Sequence, residues 1–154
     1  MTEPTTWHTI REAAMLSGLP ESTLRYYEKI GIIPRIARDP SSGHRVYSDD
    51  DIESLVTISC LSATGMPLDA MREYLGNRIE GRRGAARQME LLRAQADRLA
   101  ERAAGIRMQQ EYVAFKIAYW QARAEGRDAD AERILEENRG IVEAVSRHGR
   151  DARQ

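Results

Sequence analysis

The chain has 154 residues, of which 31% are charged, and its formal net charge is −1 at pH 7. This length accommodates one compact domain with an extension, and the charge balance excludes a generic polycation, so any positive charge for nucleic acid must be concentrated locally. The single cysteine excludes an intramolecular disulfide framework. Because no apolar run reaches membrane-spanning length and no signal-peptide pattern is present, we expect a soluble, cytoplasmic protein without a membrane partner.

The N-terminal segment predicts a short strand followed by a short helix. We interpret Met1 to Thr5 as a loose tail and Trp7 to Ile10 as a strand that pairs with a later hairpin. Thr9 and Glu12 have the spacing of a capping box, which predicts a helix from Ile10 to about Ser17. Its expected apolar face consists of Ala13, Ala14 and Leu16.

A second short helix follows after the break at Ser17-Gly18-Leu19-Pro20, so the segment is a helix-turn-helix candidate. We expect this helix to end at Gly31, because glycine serves well as the residue after a helix and Pro34 cannot continue it. Its predicted buried residues are Leu24, Tyr27 and Ile30. The side chains expected to point elsewhere are Arg25, Tyr26 and Lys29.

A small basic hairpin is predicted next. Ile36 to Arg38 and Arg45 to Tyr47 form its arms, and residues 39–43 form a turn rich in Asp, Pro, Ser and Gly. Between residues 31 and 47 the chain has three arginines and one acid. An exposed helix beside a basic hairpin is the arrangement with which proteins enter a DNA major groove and hold phosphates.

Two further helices are predicted before the long helix. Ser48 and the three aspartates after it favour a helix start, and the helix is expected to continue to Thr64 before Gly65. Its predicted common face comprises Ile52, Leu55, Val56, Ser59 and Cys60. A second helix begins near Met66 to Asp69, and we expect Gly76-Asn77 to end it. Its predicted apolar residues are Leu68, Met71 and Leu75.

From about Arg82 the sequence predicts one long helix. Apolar or small residues recur in steps of three and four from Met89 to Trp120, interrupted only by Gln110. A single helix cannot bury such a stripe alone, so we infer a coiled-coil dimer, while packing of the helix on its own domain remains the alternative. After a break at Gly126 to Asp128, we expect a helical stretch from Ala131 to Val145. A break at Gly140 and a disordered tail from Arg147 are also expected.

The chain resembles the MerR family of bacterial transcription regulators. The resemblance rests on Thr9 to Ala14, on Thr23 to Pro34 and on Gly43 to Tyr47, in this order and spacing. It predicts a mainly α fold, with a winged helix-turn-helix DNA-binding domain at 7–77, a dimerising antiparallel coiled-coil helix at 82–122 and a short C-terminal helical segment at 127–147. Pro20 departs from the capping Ser or Thr that is usual in the family.

The resemblance also implies a mode of action. In proteins that this chain resembles, a homodimer binds a pseudo-palindromic operator in promoter DNA and distorts it, so that RNA polymerase meets correctly placed promoter elements. Arg25 and Tyr26 are then expected in or beside the groove, and Arg45 and Tyr47 in the wing, with Tyr47 also partly in the core. Further candidates for DNA contact are Arg11, Lys29, Arg35, Arg38 and His44.

The effector is left open by the sequence. Cys60 resembles the single cysteine of the family branch that responds to aldehydes and other electrophiles, although an inert packed cysteine is an equal alternative. A small apolar ligand among four aromatic residues is a further option, as is the absence of any effector. These aromatic residues are Tyr112, Phe115, Tyr119 and Trp120. The histidines and Cys60 lack metal-ligand spacing, so we expect neither a metal nor another cofactor.

The sequence therefore predicts a DNA-binding transcription regulator. The alternatives are an architectural DNA-bending protein of the excisionase kind and a coiled-coil module that binds protein. An enzyme is not expected, because no nucleophile–base pairing or phosphate-binding loop is visible.

Overall fold

A computed structural model describes residues 4–153, and most of the expected tail from Met1 to Thr5 lies outside that range. The chain forms two compact units, one up to Gln95 and one from Ala96. The elements of the first unit are β1 (His8–Thr9), α1 (Ile10–Ser17), α2 (Glu21–Lys29), β2 (Ala37–Arg38), β3 (Arg45–Tyr47), α3 (Asp49–Ala63), α4 (Leu68–Ile79) and a 3-10 turn (Gly81–Arg83). The long helix α5 (Ala85–Ala124) runs on into the second unit, followed by α6 (Asp128–Glu137) and α7 (Arg139–Asp151).

The two short helices and their turn are confirmed. The Thr9 hydroxyl accepts a hydrogen bond from the Glu12 N–H over 3.2 Å and so caps α1. Gly18 ends α1 and Gly31 follows α2, both with positive φ, the backbone region that glycine adopts without steric cost. The expected apolar face of α1 was wrong at Leu16, which is 55% exposed, because Ala13 and Ser17 form the buried side instead.

The strand and hairpin are also confirmed. The sheet has the order β1-β3-β2 and both pairs are antiparallel, with His8 opposite Tyr47 and Ala37 opposite Val46. Ile36 is buried just before β2 rather than inside it. The sheet therefore ties the N-terminal segment and the hairpin to the helices around one core.

The apolar core contacts α3 through only part of the predicted face: Leu55 is buried and Ile52 packs against the core, as expected. Ser48 caps α3 in a reciprocal capping box with Asp51, as expected for its start. The buried residues are Leu55, Ile58 and Leu61, whereas Val56 and Cys60 are exposed. The predicted stripe lay too far around the helix, because both faces carry apolar residues and only the neighbouring helices decide which one is covered.

Helix α4 continues past its predicted end. Gly76 lies within the helix, which runs to Ile79, so the prediction that Gly76-Asn77 ends it was wrong. Asn77 is buried and donates a hydrogen bond to Gln88. These tertiary contacts hold the helix in place and outweigh the low helix propensity of Gly76.

The long helix has the predicted stripe, and the stripe is uncovered in the single chain. α5 comprises 40 residues. Its apolar side chains with exposures between 39 and 63% are Met89, Leu92, Leu99, Ile106, Val113, Ile117 and Trp120. No helix among residues 4–153 is both long and apolar enough to cross a bilayer.

The C-terminal helices differ from prediction in two places. The break lies at Asn138, whose amide donates to the Ile134 carbonyl over 2.7 Å, and not at Gly140. The expected disorder from Arg147 was wrong, because α7 continues to Asp151. Gly105 is buried against the His148 ring, where an added Cβ would lie 3.1 Å from Nε2, and this close approach packs α7 against α5 within the second unit.

Candidate nucleic-acid interface

One face of α2 is free of the core. Leu24 and Tyr27 are buried, whereas Arg25, Tyr26 and Lys29 are exposed, as the spacing predicted. Tyr26 is 49% exposed, and its ring lies 6.2 Å from the Tyr27 ring, centroid to centroid. This face presents one flat aromatic ring and two cations, which suits contact with bases and phosphates in a DNA groove.

The hairpin turn is held by one carboxylate. Asp39 Oδ1 accepts hydrogen bonds from the backbone N–H groups of Ser41 and Ser42, at 2.9 and 2.7 Å, and from both serine hydroxyls. The hydroxyl of Ser41 is the largest contributor to a lowering of the pKa of Asp39 to about 2. Arg38 Nη1 donates to the Gly43 carbonyl over 3.2 Å. The turn therefore fixes the tip of the hairpin formed by β2 and β3, which we call the wing, and His44 is exposed on it.

An ion pair fastens the wing to α2. Arg45 Nε donates to Glu28 Oε1 over 2.7 Å, and the Ile36 N–H donates to Glu28 Oε2 over 2.6 Å. Partial burial, the largest single influence, acts to raise the pKa of Glu28, but the hydrogen bonds from Arg45 and Ile36 together with the positive charges of Arg45 and Arg38 lower the pKa below its ordinary value. Glu28 is therefore an anionic bridge between the helix and both sides of the hairpin.

Tyr47 does not belong to the exposed surface. Its side chain is fully buried, and its hydroxyl has no hydrogen-bond partner among residues 4–153. Burial is also the main cause that raises the pKa of Tyr47. Since alternate strand residues share a face, Arg45 and Tyr47 both lie toward the core, and only the longer Arg45 retains exposure. Burial confirms that Tyr47 belongs to the core, and a contact between Tyr47 and DNA stays a prediction.

The remaining cations gather around two grooves. A groove of about 910 Å³ is lined by seven basic residues and two acids, Glu28 and Asp50. Its basic residues are Arg25, Lys29, Arg35, Arg38, Arg45, Arg72 and Arg78. A second groove of about 490 Å³ shares three of them and includes His44. Arg11 is exposed on α1 and lines neither groove.

Sequence reasoning missed Arg72 and Arg78. Arg72 Nη2 donates to the Ile30 carbonyl at the end of α2 over 2.6 Å. Arg78 pairs with Glu53 over 2.8 Å. The position of Arg72 outside the apolar stripe of α4 was the available signal, but its approach to α2 depends on contacts between distant parts of the chain.

None of the effector candidates lines either groove. The Cys60 side chain is exposed on α3 and is a free thiol. In the second unit, Tyr112 lies edge to face on Phe115 and Tyr119 on Trp120, each at 5.2 Å between centroids. Phe115 is buried and Trp120 is 62% exposed. A cavity of about 410 Å³ follows the α5 stripe and is not lined by these aromatic residues.

The described part of the chain contains no group of three or more His, Cys, Asp or Glu side chains that could hold a metal ion. The candidate site is a surface of basic side chains and one exposed tyrosine, carried by α2 and the wing.

Comparison with known proteins finds its family match over the part of the chain that carries this candidate site. A family model described as MerR HTH family regulatory protein matches residues 8–77. The HTH-type transcriptional regulator AdhR of Bacillus subtilis is 36% identical over 92 residues, which are 60% of this chain and 65% of AdhR, so the match spans slightly less than two thirds of that relative. An HTH-type transcriptional regulator of Haemophilus influenzae is 29% identical over 114 residues, which are 74% of this chain and 84% of that protein.

Solved structures agree over a longer part of the chain. A MerR family transcriptional regulator from Listeria monocytogenes is 30% identical with a TM-score of 0.65, and the match covers 82% of this chain and 98% of that one. HiNmlR, a MerR family regulator lacking the sensor domain and bound to promoter DNA, is 29% identical with a TM-score of 0.60. That match covers 79% of this chain and 96% of HiNmlR.

Proposed function

The chain belongs to the MerR family of helix-turn-helix regulatory proteins, and on that premise we propose that it acts as a homodimer that binds and distorts an operator in promoter DNA. It is a transcription regulator in a family whose members are named as regulators and not as enzymes. A cytoplasmic location is part of the proposal.

One observation carries the proposal for DNA binding: a basic groove lies between α2, the wing and α4, with Arg25, Arg38 and Arg45 on its rim. In a chain of net charge −1, this local excess of cations is what an anionic backbone requires. We propose that α2 enters the major groove with Arg25 and Tyr26. Further phosphate contacts are proposed for Lys29, Arg35, Arg38, His44 and Arg45.

The exposed stripe of α5 supports the dimer. Side chains such as Ile106, Val113 and Ile117 are more than half exposed and share one face of the helix. Full burial of such a side chain from water is worth about 1.5–3 kcal/mol, and covering the half that is exposed contributes about half of that per residue, which favours a second copy of α5 over the stripe. We propose an antiparallel coiled coil over residues 82–122, with 7–77 as the DNA-binding domain and 127–147 as a segment that packs nearby.

Distortion of the operator follows from this architecture. Two DNA-binding units at a fixed separation can bind both half-sites of an over-long spacer only if the DNA bends or untwists. The free energy of this deformation is offset by the protein–DNA interactions that the second half-site adds. RNA polymerase is then the partner that reads the deformed promoter. An architectural protein of the excisionase kind bends DNA as well, but it does not require a dimer stripe of this length.

Cys60 is the proposed sensor, for electrophiles such as small aldehydes. The thiol is exposed near the end of α3, where a reagent can reach it. Transcription in vitro from the promoter nearest its own gene tests this role, with wild type and Cys60→Ser compared with and without formaldehyde. A response of the wild type alone supports the sensor; no response from either protein moves the search to the aromatic residues from Tyr112 to Trp120.

The function as a whole is tested by selecting DNA from a random pool with the wild-type protein. We expect a pseudo-palindromic sequence whose two half-sites are protected together in footprinting, and permanganate-reactive or bent DNA between them. Arg25→Ala should weaken binding to the selected operator, and Arg139→Ala, which removes an exposed arginine of α7, is its control. Selection of no preferred sequence would contradict the proposal.

A further inference from the structure

Two of the three buried polar side chains among the described residues lie where the start of α5 meets α3 and α4, which we call the junction. Ser17, Asn77 and Gln95 are each no more than 6% exposed. Asn77 belongs to α4 and Gln95 to the third turn of α5, and both lie within the first unit. Buried amides are unusual at a junction that apolar contacts alone could form, so their partners define what the junction does.

The first turn of α5 is bonded back to α4. Gln88 Nε2 donates to the Tyr74 carbonyl over 2.7 Å, and Gln88 Oε1 accepts from Asn77 Nδ2 over 3.2 Å. Both polar ends of the Gln88 side chain are therefore engaged by the same helix. Each bond fixes a distance and a direction, which an apolar contact does not.

The third turn of α5 is bonded to the end of α3. Gln95 Nε2 donates to the Thr64 carbonyl over 2.7 Å. Thr64 is itself held, because its N–H donates to the Cys60 and Leu61 carbonyls and its hydroxyl donates to the Leu61 carbonyl. The two glutamines are seven residues apart, about two helical turns, so they hold the same side of α5 at two points.

A glycine brings the two helices together at the same place. A Cβ built on Gly84 would lie 2.1 Å from the Asn77 carbonyl oxygen, closer than any side chain permits. Gly84 precedes α5 directly. The start of α5 is therefore fixed by a close backbone approach as well as by the two amides.

We propose that Gln88 and Gln95 are positioning residues that fix the start of α5 on the DNA-binding unit and thereby set the half-site spacing that the dimer accepts. This inference rests on the proposed homodimer. With 40 residues, α5 is about 60 Å long. A tilt of about 5° at its start moves its far end by about 5 Å, which exceeds the rise of about 3.4 Å per base pair. A small change in the direction of α5 at the junction therefore displaces its far end by more than the length of one base pair.

The experiment uses the operator that the wild-type protein selects from a random DNA pool. Synthetic duplexes change its half-site spacing by one and two base pairs in either direction, and dissociation constants are measured for the full-length wild type, Gln88→Leu and Gln95→Leu. Gln121→Leu is the matched control, because this exposed α5 residue donates to Glu125, four residues later and just past the end of α5, and to neither α3 nor α4. Gln88→Asn and Gln95→Asn keep an amide but shorten its reach, and they replace any leucine variant that does not fold.

We expect the preference of the wild type for its selected spacing to fall by about five- to tenfold in the variants, the factor that one hydrogen bond is worth in an equilibrium. Affinity for a single half-site and the dimer mass should not change. An undiminished spacing preference in folded Gln88 and Gln95 variants would overturn the inference and make the amides purely structural. A pool that yields no operator for the wild type contradicts the proposed function instead, so the two failures are distinguishable.

Discussion

Arg45 and Glu28 form the ion pair that joins the wing to α2, with 2.7 Å between Nε and Oε1. The side chain of Glu28 is only 12% exposed and that of Arg45 22%. Because one edge of the guanidinium is held by Glu28, the arginine lies in a defined direction on the rim of both grooves. We therefore expect Glu28 to influence DNA binding through Arg45.

The first prediction follows from this pair. Glu28→Gln should weaken operator binding by at least about fivefold, because one amide oxygen cannot accept from both the Ile36 N–H and Arg45, and the bond to Arg45 loses the charge assistance that makes it worth about 1.5–3 kcal/mol. Removing a negative charge near the DNA phosphates would by itself strengthen binding, because it reduces repulsion. Asp50→Asn, in the same groove, measures that opposing effect alone. Equal tightening of binding by both variants in fluorescence anisotropy would exclude a positioning role for Glu28.

Arg25→Ala should lower both the affinity for the operator and the salt dependence of binding. Loss of one phosphate contact reduces the slope of log K against log salt by about 1, whereas Arg139→Ala should leave the slope unchanged. Titrations at several salt concentrations check this expectation. An unchanged slope would place Arg25 outside the DNA contact.

Ile117→Glu should convert the dimer to a monomer, because it puts a charge into the exposed stripe of α5. Ile79→Glu is the matched control: Ile79 is 84% exposed and lies on α4, outside the stripe. Sedimentation equilibrium gives the mass of each. A dimer that survives Ile117→Glu contradicts the coiled-coil proposal.

His8 should give the first unit a pH-dependent stability. Its Nε2 is 2.8 Å from Asp49 and its Nδ1 is 3.3 Å from Glu12, and the bond to Asp49 is the largest cause that raises the pKa of His8. A raised pKa stabilises the fold fully below the ordinary value of 6.5, and this contribution is lost as pH rises through the folded-state pKa. Wild type should therefore melt above His8→Gln at pH 5.5, with the difference vanishing at alkaline pH.

Thermal melts over this pH range check the sign. His44→Gln, on the exposed wing, controls for the removal of an imidazole. A difference between wild type and His8→Gln that grows with pH would show that the contacts of His8 with the two acids do not stabilise the fold.

Two glycines of the same junction should respond in opposite ways to alanine. Gly84→Ala places a methyl group against the Asn77 carbonyl and should destabilise the fold by about 1–3 kcal/mol. Gly76→Ala meets open space inside α4 and should stabilise it by about 0.5–1 kcal/mol. Urea unfolding measures both, and comparable values for the two variants would contradict the close approach at Gly84.

The local features of this chain were predictable because residues close in sequence produce them. The Thr9 cap, the glycine after α2 and the Asp39 turn each depend on side chains and backbone groups within a few positions. The stripe of α5 is likewise a repeat along one helix. The sequence therefore determined the order of elements, the wing, the family and the exposed face of α2.

Only the tertiary structure decided which polar and aromatic groups meet across the fold. Tyr47 is buried and not exposed, Val56 and Cys60 lie outside the core, and Arg72 reaches the end of α2. The bond between Gln95 and Thr64 joins residues 31 positions apart. Such contacts depend on how helices pack, and the apolar pattern of one helix leaves its partner and its rotation open until the neighbouring surfaces compete to cover it.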